Sequence, residues 1–144
     1  MIELVKLGER FGDDPKHYIQ NLAEHPVGGV AVLFCKAGSS RSHHAHRRDQ
    51  HDLFVLSGSM RYVEQECQIV DSTRGDGVHT QVIDVGAPMQ RRINAGQMVH
   101  TGPNTRHSTY FDEDTILISL SKNARTHDAH EADLVRCQPL PWVE

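Results

Sequence analysis

The stretch RSHHAHRRDQH, Arg41–His51, decides which fold this sequence predicts, and it holds four of the chain's 11 histidines within nine residues. On a β-strand, successive side chains point to opposite faces, so His44 and His46 share one face while Ala45 points away. Such a pair can bind one ion or one ligand. Two exposed histidines on a polar face would give the same pattern, so the pair alone does not decide between these interpretations.

The residues on either side extend the pattern. Five residues lie between Gly38 and His44, and one lies between His44 and His46. Four residues then precede His51, and six more precede Gly58. This spacing resembles the first motif of the cupin superfamily, G-x5-H-x-H-x(3,4)-E-x6-G, with His51 in place of the usual Glu.

A second cupin motif, G-x5-P-x-G-x2-H-x3-N, matches GQMVHTGPNTRHSTYF from Gly96 onward, and its histidine falls on His107. Gly102 stands at the proline position, Asn104 at the second glycine and Phe111 at the final asparagine. Asn adopts the left-handed backbone conformation more readily than most residues, so Asn104 can replace a turn glycine.

The chain from Gly29 onward alternates short apolar segments with Gly, Pro, Asn and Asp, which is typical of an all-β barrel or sandwich. The resemblance implies a single-domain cupin jelly-roll barrel over residues 1–144, with motif one at 38–58 and motif two at 96–111. The predicted strands are Val30–Lys36, Ser42–His46, Asp52–Ser57, Met60–Gln65, Thr80–Val85, Gln90–Ile93, His107–Phe111 and Thr115–Ser121. Residues 72–79, STRGDGVH, are predicted to be a surface loop.

Helix signals occur at two places. Asp13 or Asp14 as a cap and Pro15 in the first turn predict one short N-terminal helix over PKHYIQNLAEH, residues 15–25. Near the end of the chain, Asp128 and Glu131 could form a capping box, although ADLVRC could equally be an edge strand.

Composition narrows the function classes. A chain of 144 residues with 38% hydrophobic and 24% charged residues is typical of one globular domain. A formal charge of −4 disfavours general nucleic-acid binding, although Arg41, Arg47 and Arg48 leave an RNA-contact patch as an alternative. No apolar run approaches membrane-spanning length, and the first 15 residues do not resemble a secretory signal, so we expect a cytoplasmic protein. Cys35 is predicted to lie in the core.

The cupin resemblance implies a metal site. In metal-dependent cupins the two strand histidines, the Glu and the second-motif histidine bind one divalent ion, which implies His44, His46, His51 and His107 as ligands here. Imidazole nitrogen suits Fe, Mn, Ni, Cu or Zn, so one divalent transition metal is the predicted cofactor. Two alternatives stay open: His51 hydrogen-bonds without binding the ion, or the cluster is a polar lining without metal.

Other residues on or beside the motif strands are candidate pocket groups. Tyr62 could donate a proton, and Arg61 or Arg106 could hold a carboxylate or a phosphate, so these three are the predicted catalytic residues. Thr109 is a further candidate. Residues His43 and His100 are predicted to face solvent.

Three functions fit these features. The first is a metal-dependent cupin enzyme that acts on a small oxygen-rich molecule by dioxygen-dependent or enolising chemistry. The second rests on RSHHAHRR, which also resembles the His-Ala-His strand of nucleotide-sugar ketoisomerases and epimerases. These cupin relatives work without a metal, and His44 and His46 would then be acid and base while arginines hold the diphosphate. The third is a non-catalytic module that binds a small ligand.

The expected partner is a small-molecule substrate or ligand, with no nucleic acid and no membrane. Small cupins are often dimers, so the resemblance also implies a homodimer. The apolar segments GVAVLF and ILISL are its predicted interface.

Overall fold

The strands form two curled antiparallel sheets in a computed structural model, which describes residues 2–144 and, of Asp13, only the backbone. This architecture confirms the predicted all-β jelly roll. The strands are β1 (Glu3–Leu4), β2 (Arg10–Asp14), β3 (His17–Gln20), β4 (Gly29–Cys35), β5 (Ser40–His46), β6 (His51–Ser57), β7 (Ser59–Arg74), β8 (Gly77–Asp84), β9 (Met89–Asn94), β10 (Met98–Thr101), β11 (Thr105–Tyr110), β12 (Thr115–Ser121) and β13 (Leu134–Arg136). Helix α1 spans His127–Asp133.

The strand order puts the two motif regions in facing sheets. One sheet has the order β1-β10-β6-β12-β4, and the other has the order β13-β5-β11-β7-β8, with β9 also paired to β7. Strands β2 and β3 form a separate hairpin. Because β5 and β6 lie in different sheets, the first motif spans the barrel from one wall to the other.

The barrel interior is apolar at one end and polar at the other. On β6, His51, Leu53 and Val55 alternate inward and are all buried. Leu53 and Val55 join a core cluster that includes Tyr62 and Phe111, whereas His51 lies outside that cluster. The hydrophobic effect therefore holds the sheets together at one end and leaves the other end free to carry polar groups.

All eight predicted strands are present. Strand β12 matches its predicted bounds, and the others shift or extend by a few residues, except that β7 continues to Arg74. The predicted surface loop at residues 72–79 is therefore wrong except at the turn, residues 75–76, because 72–74 belong to β7 and 77–79 to β8. The segment is exposed apart from the partly buried His79. The prediction missed β1, β2, β3 and β10. As predicted, Cys35 is buried in the core.

The predicted N-terminal helix is wrong. Within residues 15–25 the structure has β3, which pairs with β2. The Asp14 carboxylate accepts the backbone N–H of Lys16 at 2.8 Å, so this residue caps a tight turn of the hairpin rather than a helix. A helix over these residues would be too short to be stable alone. The segment instead pairs as a strand, and the Arg10 guanidinium lies 3.7 Å from the Tyr18 ring centroid. The alternative cap, the side chain of Asp13, lies outside the described residues.

The C-terminal segment contains both elements that the sequence left open. Helix α1 begins after Thr126, whose hydroxyl oxygen accepts the backbone N–H of Ala129 at 3.4 Å, so the cap is Thr126 and not Asp128. The chain then enters β13, which pairs with β5. No helix within residues 2–144 is long and apolar enough to cross a membrane.

Turn positions of both motifs use the left-handed region. The backbone φ is 82° at Gly38, 84° at Gly58 and 87° at Gly96. Asn104 has a φ of 56°, which confirms that it takes the place of the second motif's turn glycine. The glycine positions of both motifs are therefore true turns, in which the left-handed conformation is used.

Gly38 and Gly58 have nearly the same backbone φ, but only Gly58 is closely surrounded by other atoms. Alanine substitutions at these two positions therefore form a matched pair. Gly38→Ala is expected to destabilise the fold by about 1–2 kcal/mol through its left-handed φ alone. A Cβ at Gly58 would also lie 2.6 Å from the Asp114 carbonyl oxygen and collide with Thr115, which adds about 1–3 kcal/mol. Urea denaturation of both variants measures the difference, and equal destabilisation would contradict this account.

The outer face of edge strand β4 is apolar and exposed. Val30, Val32 and Phe34 are 64%, 54% and 74% exposed and alternate along the strand. This strand contains the GVAVLF segment predicted to form a dimer interface. The homodimer stays a prediction, and this face is where we expect it.

Candidate active site inside the barrel

The four histidines named by the motifs meet at the polar end of the barrel. Ring centroids are 4.9 Å apart for His44 and His46, 4.8 Å for His44 and His107, and 5.1 Å for His46 and His51. One ring nitrogen each of His44, His46 and His107 lies within 4.8 Å of the others. His46, His51 and His107 are buried and His44 is partly exposed, so His44 is the member that a ligand reaches most easily.

Strand register explains why these side chains converge. His107 on β11 is the cross-strand partner of His44 on β5. His51 reaches the same space from the facing sheet, where it pairs with Thr101 on β10 and Ser121 on β12. The spacing of the first motif thus puts the H-x-H pair on one wall and His51 on the other.

Asp133 fixes the orientation of His46. The Nδ1 atom of His46 lies 3.0 Å from Oδ2 of Asp133. The Asp133 carboxylate also accepts backbone N–H groups from Arg48 at 2.8 Å and from Asp49 at 3.2 Å. An ionised carboxylate only accepts, so His46 donates through Nδ1, and its Nε2 carries a lone pair. This Nε2 is buried without a hydrogen-bond partner.

His107 has the same tautomer for a similar reason. Its Nδ1 lies 3.3 Å from the Thr105 carbonyl oxygen, which can only accept, so the proton is on Nδ1. The Nε2 of His107 is also buried without a partner. Buried polar atoms are nearly always satisfied in folded proteins, so two orphaned acceptors in one cluster indicate a site that binds donors.

Burial keeps the cluster neutral. Desolvation, with smaller contributions from His107 and His46, lowers the pKa of His44 to about 2. Desolvation and then the charge of His46 lower the pKa of His107 to about 3. The pKa values of His46 and His51 are lowered for the same primary reason. At neutral pH these imidazoles are therefore free bases.

A cavity of about 80 Å³ lies beside the cluster. Its lining includes His44, His51 and His107 together with Thr109, Arg125 and His130. Arg125 and His130 also line a groove of about 340 Å³ outside the barrel, so the two spaces share a wall. The cavity alone is smaller than usual ligand pockets, which suits the reacting edge of a molecule whose remainder lies outside.

The sequence did not indicate Asp133, Arg125 or His130. All three lie in or just before α1, outside both motifs, in a polar segment that is typical of a surface loop. Pairing of β13 with β5 brings Asp133 to His46 across 87 residues of chain. The only available signal was their residue types.

Tyr62 is buried next to the cluster, but its hydroxyl group is held elsewhere. The ring stacks on that of His107 at 6.2 Å, and the hydroxyl donates to Glu64 at 2.9 Å. It also lies 2.6 Å from the Thr101 hydroxyl oxygen. Burial, followed by the Glu64 charge, raises the Tyr62 pKa well above its ordinary value. The ring therefore supports His107, and the hydroxyl belongs to a separate buried network.

The two predicted arginines lie outside the cavity. Arg61 forms an ion pair with Asp112 at 3.0 Å, and Arg106 forms one with Asp84 at 2.9 Å. Neither is among the residues that line the cavity or the groove. Both arginines are therefore engaged in ion pairs away from the histidines.

The two histidines predicted to face solvent are both partly buried. His43 turns away from His44, as predicted, but it hydrogen-bonds Ser108 Oγ and Ser40 Oγ at 2.9 Å each. His100 is on β10 and lies 2.7 Å from Asp52, and this hydrogen bond raises its pKa.

This chain is similar to known proteins in its fold and not in its sequence. No protein-family model and no curated protein sequence matches this chain. Among solved structures, it is similar to a sugar 3,4-ketoisomerase from Thermoanaerobacterium thermosaccharolyticum in complex with TDP, with a TM-score of 0.67 and 14% identity over 94% of this chain and 87% of the other.

Two further solved structures also have a fold similar to that of this chain. A mutant of that ketoisomerase in complex with TDP-4-keto-6-deoxyglucose has a TM-score of 0.65 and 14% identity, covering 94% of this chain and 86% of the other. The dTDP-4-dehydrorhamnose 3,5-epimerase from Sulfolobus tokodaii has a TM-score of 0.62 and 15% identity, covering 89% and 78%.

These neighbours contradict the predicted metal cofactor. Two are structures of a sugar 3,4-ketoisomerase with TDP or TDP-4-keto-6-deoxyglucose, and the third is a dTDP-4-dehydrorhamnose 3,5-epimerase. The resemblance of RSHHAHRR already implied that enzymes of this kind work without a metal. The prediction of a divalent transition metal is therefore wrong. Imidazoles that converge at metal-like spacing serve equally well as a set of neutral bases, and spacing alone does not distinguish these uses.

Proposed function

We propose that this chain is an isomerase or epimerase of a nucleotide-linked keto sugar and moves a proton next to the ketone. The observation that carries the proposal is the set of neutral imidazoles around the cavity. Two of them, His46 and His107, present Nε2 atoms without partners. Sugar hydroxyl groups are donors that match such acceptors, and a carbon acid beside a ketone needs a neutral base.

His44 is the residue we assign to proton removal. It lines the cavity and is the most exposed of the four histidines, so the substrate can contact it directly. A pKa of about 2 makes the free ring a weak base. A negative charge that develops on the substrate next to the ring raises this pKa, so proton transfer is coupled to formation of the anion.

His46 is the second acid/base group. Its hydrogen bond to Asp133 raises its pKa against the effect of burial, and it fixes the tautomer with a free Nε2. Return of the proton to the former carbonyl carbon, with transfer of the adjacent hydroxyl proton to the former ketone oxygen, gives a ketoisomerase. Return to the same carbon from the other side gives an epimerase. Arg41, exposed at the cavity wall, supplies positive charge for the diphosphate.

Deuterium exchange tests this proposal. Wild-type protein without a histidine tag is incubated in D₂O with TDP-4-keto-6-deoxyglucose, and the sugar is followed by proton NMR. We expect deuterium at a carbon adjacent to the ketone, and the labelled carbon in the product distinguishes isomerisation from epimerisation. TDP-glucose, which has no ketone, is the control and should bind without exchange.

Two other results are informative. Tight binding of the keto sugar without exchange would support a non-catalytic binding module. If calorimetry detects no binding of TDP and NMR detects no exchange, the proposed substrate class is wrong.

A further inference from the structure

Arg125 brings a positive charge into the barrel, where the charges of Asp49 and Asp133 raise its pKa against the effect of burial without forming an ion pair with it. Its Nη1 donates to Ser119 Oγ at 3.2 Å, and Ser119 is a buried residue of β12. Its Nε is buried without a hydrogen-bond partner. Among the described side chains, no carboxylate forms an ion pair with Arg125.

The two carboxylates near Arg125 already accept hydrogen bonds from other groups. Asp133 accepts from His46 and from two backbone N–H groups. Asp49 accepts backbone N–H groups from Gln50 at 2.9 Å and from Asn123 at 3.1 Å. A guanidinium whose buried Nε lacks a hydrogen-bond partner is unfavourable in the free protein, so its place at the cavity points to a ligand that accepts a hydrogen bond there.

The guanidinium faces the same cavity as the base. Arg125 lines the cavity with His44, His107 and Thr109, and the Thr109 hydroxyl is also buried without a partner. One wall of the cavity therefore offers unpaired lone pairs, and Arg125 and Thr109 offer unpaired donors. A substrate that loses a proton on one side and gains negative charge on an oxygen on the other side would complement both.

We propose that Arg125 holds the negatively charged oxygen formed from the substrate ketone. This inference rests on the proposed function. His44 takes the proton from the carbon next to the ketone, the C–H electron pair becomes the C=C bond, and the π pair of the C=O bond moves to oxygen. The resulting enolate oxygen is bound by Arg125. Return of the proton to carbon restores a C=O bond, so no oxidant or reductant is needed.

The charge of Arg125 also links removal of the proton by His44 to formation of the enolate oxygen. It disfavours a proton on the histidines around it and contributes to the low pKa of His44, His51 and His107. An oxyanion beside the guanidinium cancels that repulsion. The base therefore gains basicity when the anion forms, which favours the transition state over the bound ketone.

Exchange kinetics test the assignment. Arg125→Gln is expected to lower kcat for deuterium exchange by about 100-fold or more, because loss of one oxyanion donor has effects of that order. The dissociation constant for TDP should stay within about threefold. Arg125→Lys retains the charge and should recover part of the rate. Arg74→Gln is the matched control, since Arg74 is exposed at the tip of the β7–β8 hairpin and lines neither the cavity nor the groove, and its rate should match the wild type.

Each alternative role of Arg125 has its own result. A large loss of TDP affinity with unchanged kcat would show that Arg125 holds the diphosphate, and it would overturn the proposal. An unchanged rate in Arg125→Gln would overturn it as well. If that variant does not fold, Ser119→Ala removes the hydrogen bond that positions the guanidinium and should lower kcat by several-fold, with TDP affinity unchanged.

A second measurement does not depend on turnover. Oxalate resembles the planar enediolate, and its binding is followed through the histidine ring NMR signals of the wild type and of Arg125→Gln. We expect binding that is at least about tenfold weaker in the variant. Equal binding would overturn the role of Arg125. If the wild type exchanges no deuterium, the proposed function fails by itself, and the oxalate titration still decides whether Arg125 is an anion-binding residue.

Discussion

Replacing His44 by asparagine is expected to reduce deuterium exchange by about 10³-fold or more, because proton transfer by a positioned base contributes about 10²–10⁴-fold and His44 is the most exposed of the four clustered histidines. Asparagine is polar and close in size, but it cannot take up a proton at neutral pH. The measurement is kcat for exchange into TDP-4-keto-6-deoxyglucose, with the dissociation constant for TDP determined in parallel.

The adjacent histidine provides the control. His43 turns away from the cavity to Ser108 and Ser40, and its φ of 56° is one that asparagine tolerates. His43→Asn should therefore exchange deuterium at close to the wild-type rate. If the two variants lose activity equally, the loss reflects damage to β5 and not removal of a base.

Acid is expected to unfold this protein because of the same buried imidazoles. His44 and His107 have pKa values of about 2 and about 3 in the folded state, against an ordinary value of 6.5. Between pH 6.5 and about 3 the unfolded chain binds protons that the folded chain excludes. The free energy of unfolding therefore falls as the pH drops below 6.5, by about 1.4 kcal/mol per pH unit for each histidine.

Urea denaturation at a series of pH values between 7 and 4 measures this slope. His107→Gln should reduce it by about 1.4 kcal/mol per pH unit, since the proton that the folded chain excludes from His107 no longer counts. His100→Gln should instead lower the free energy of unfolding by a constant amount below pH 6.5, without changing the slope there. The pKa of His100 is raised by Asp52, so its stabilisation is present below pH 6.5 and is lost as the pH rises through the raised pKa. Equal slopes in the wild type and His107→Gln would contradict the assignment.

Adjacent residues on a strand show where sequence reasoning reached its limit. Tyr62 and Arg61 are neighbours on β7, and His107 and Arg106 are neighbours on β11, so in each pair one side chain faces inward and the other outward. The motif identified His107 as inward. Nothing comparable marked the arginines, and both face outward to Asp112 and Asp84.

The N-terminal segment shows a different limit. Asp14 and Pro15 are local signals that suit a helix start and a tight turn equally well. Strand pairing between β2 and β3 decided between them, and local propensity does not contain that information. The same applies to His100, which was predicted to face solvent and lies on β10, paired with both β1 and β6.

The sequence by itself determined the jelly-roll class, the eight main strands and the convergence of His44, His46, His51 and His107. Strand alternation and motif spacing are local properties, and they remain readable without a structure. Only the tertiary structure placed Asp133 behind His46 and the guanidinium of Arg125 beside His44. Both contacts join segments about 80 residues apart. Pairing of β13 with β5 positions Asp133, and the hydrogen bond to Ser119 positions Arg125. Long-range packing, which leaves no periodic signal in the chain, therefore decided the electrostatics of the site.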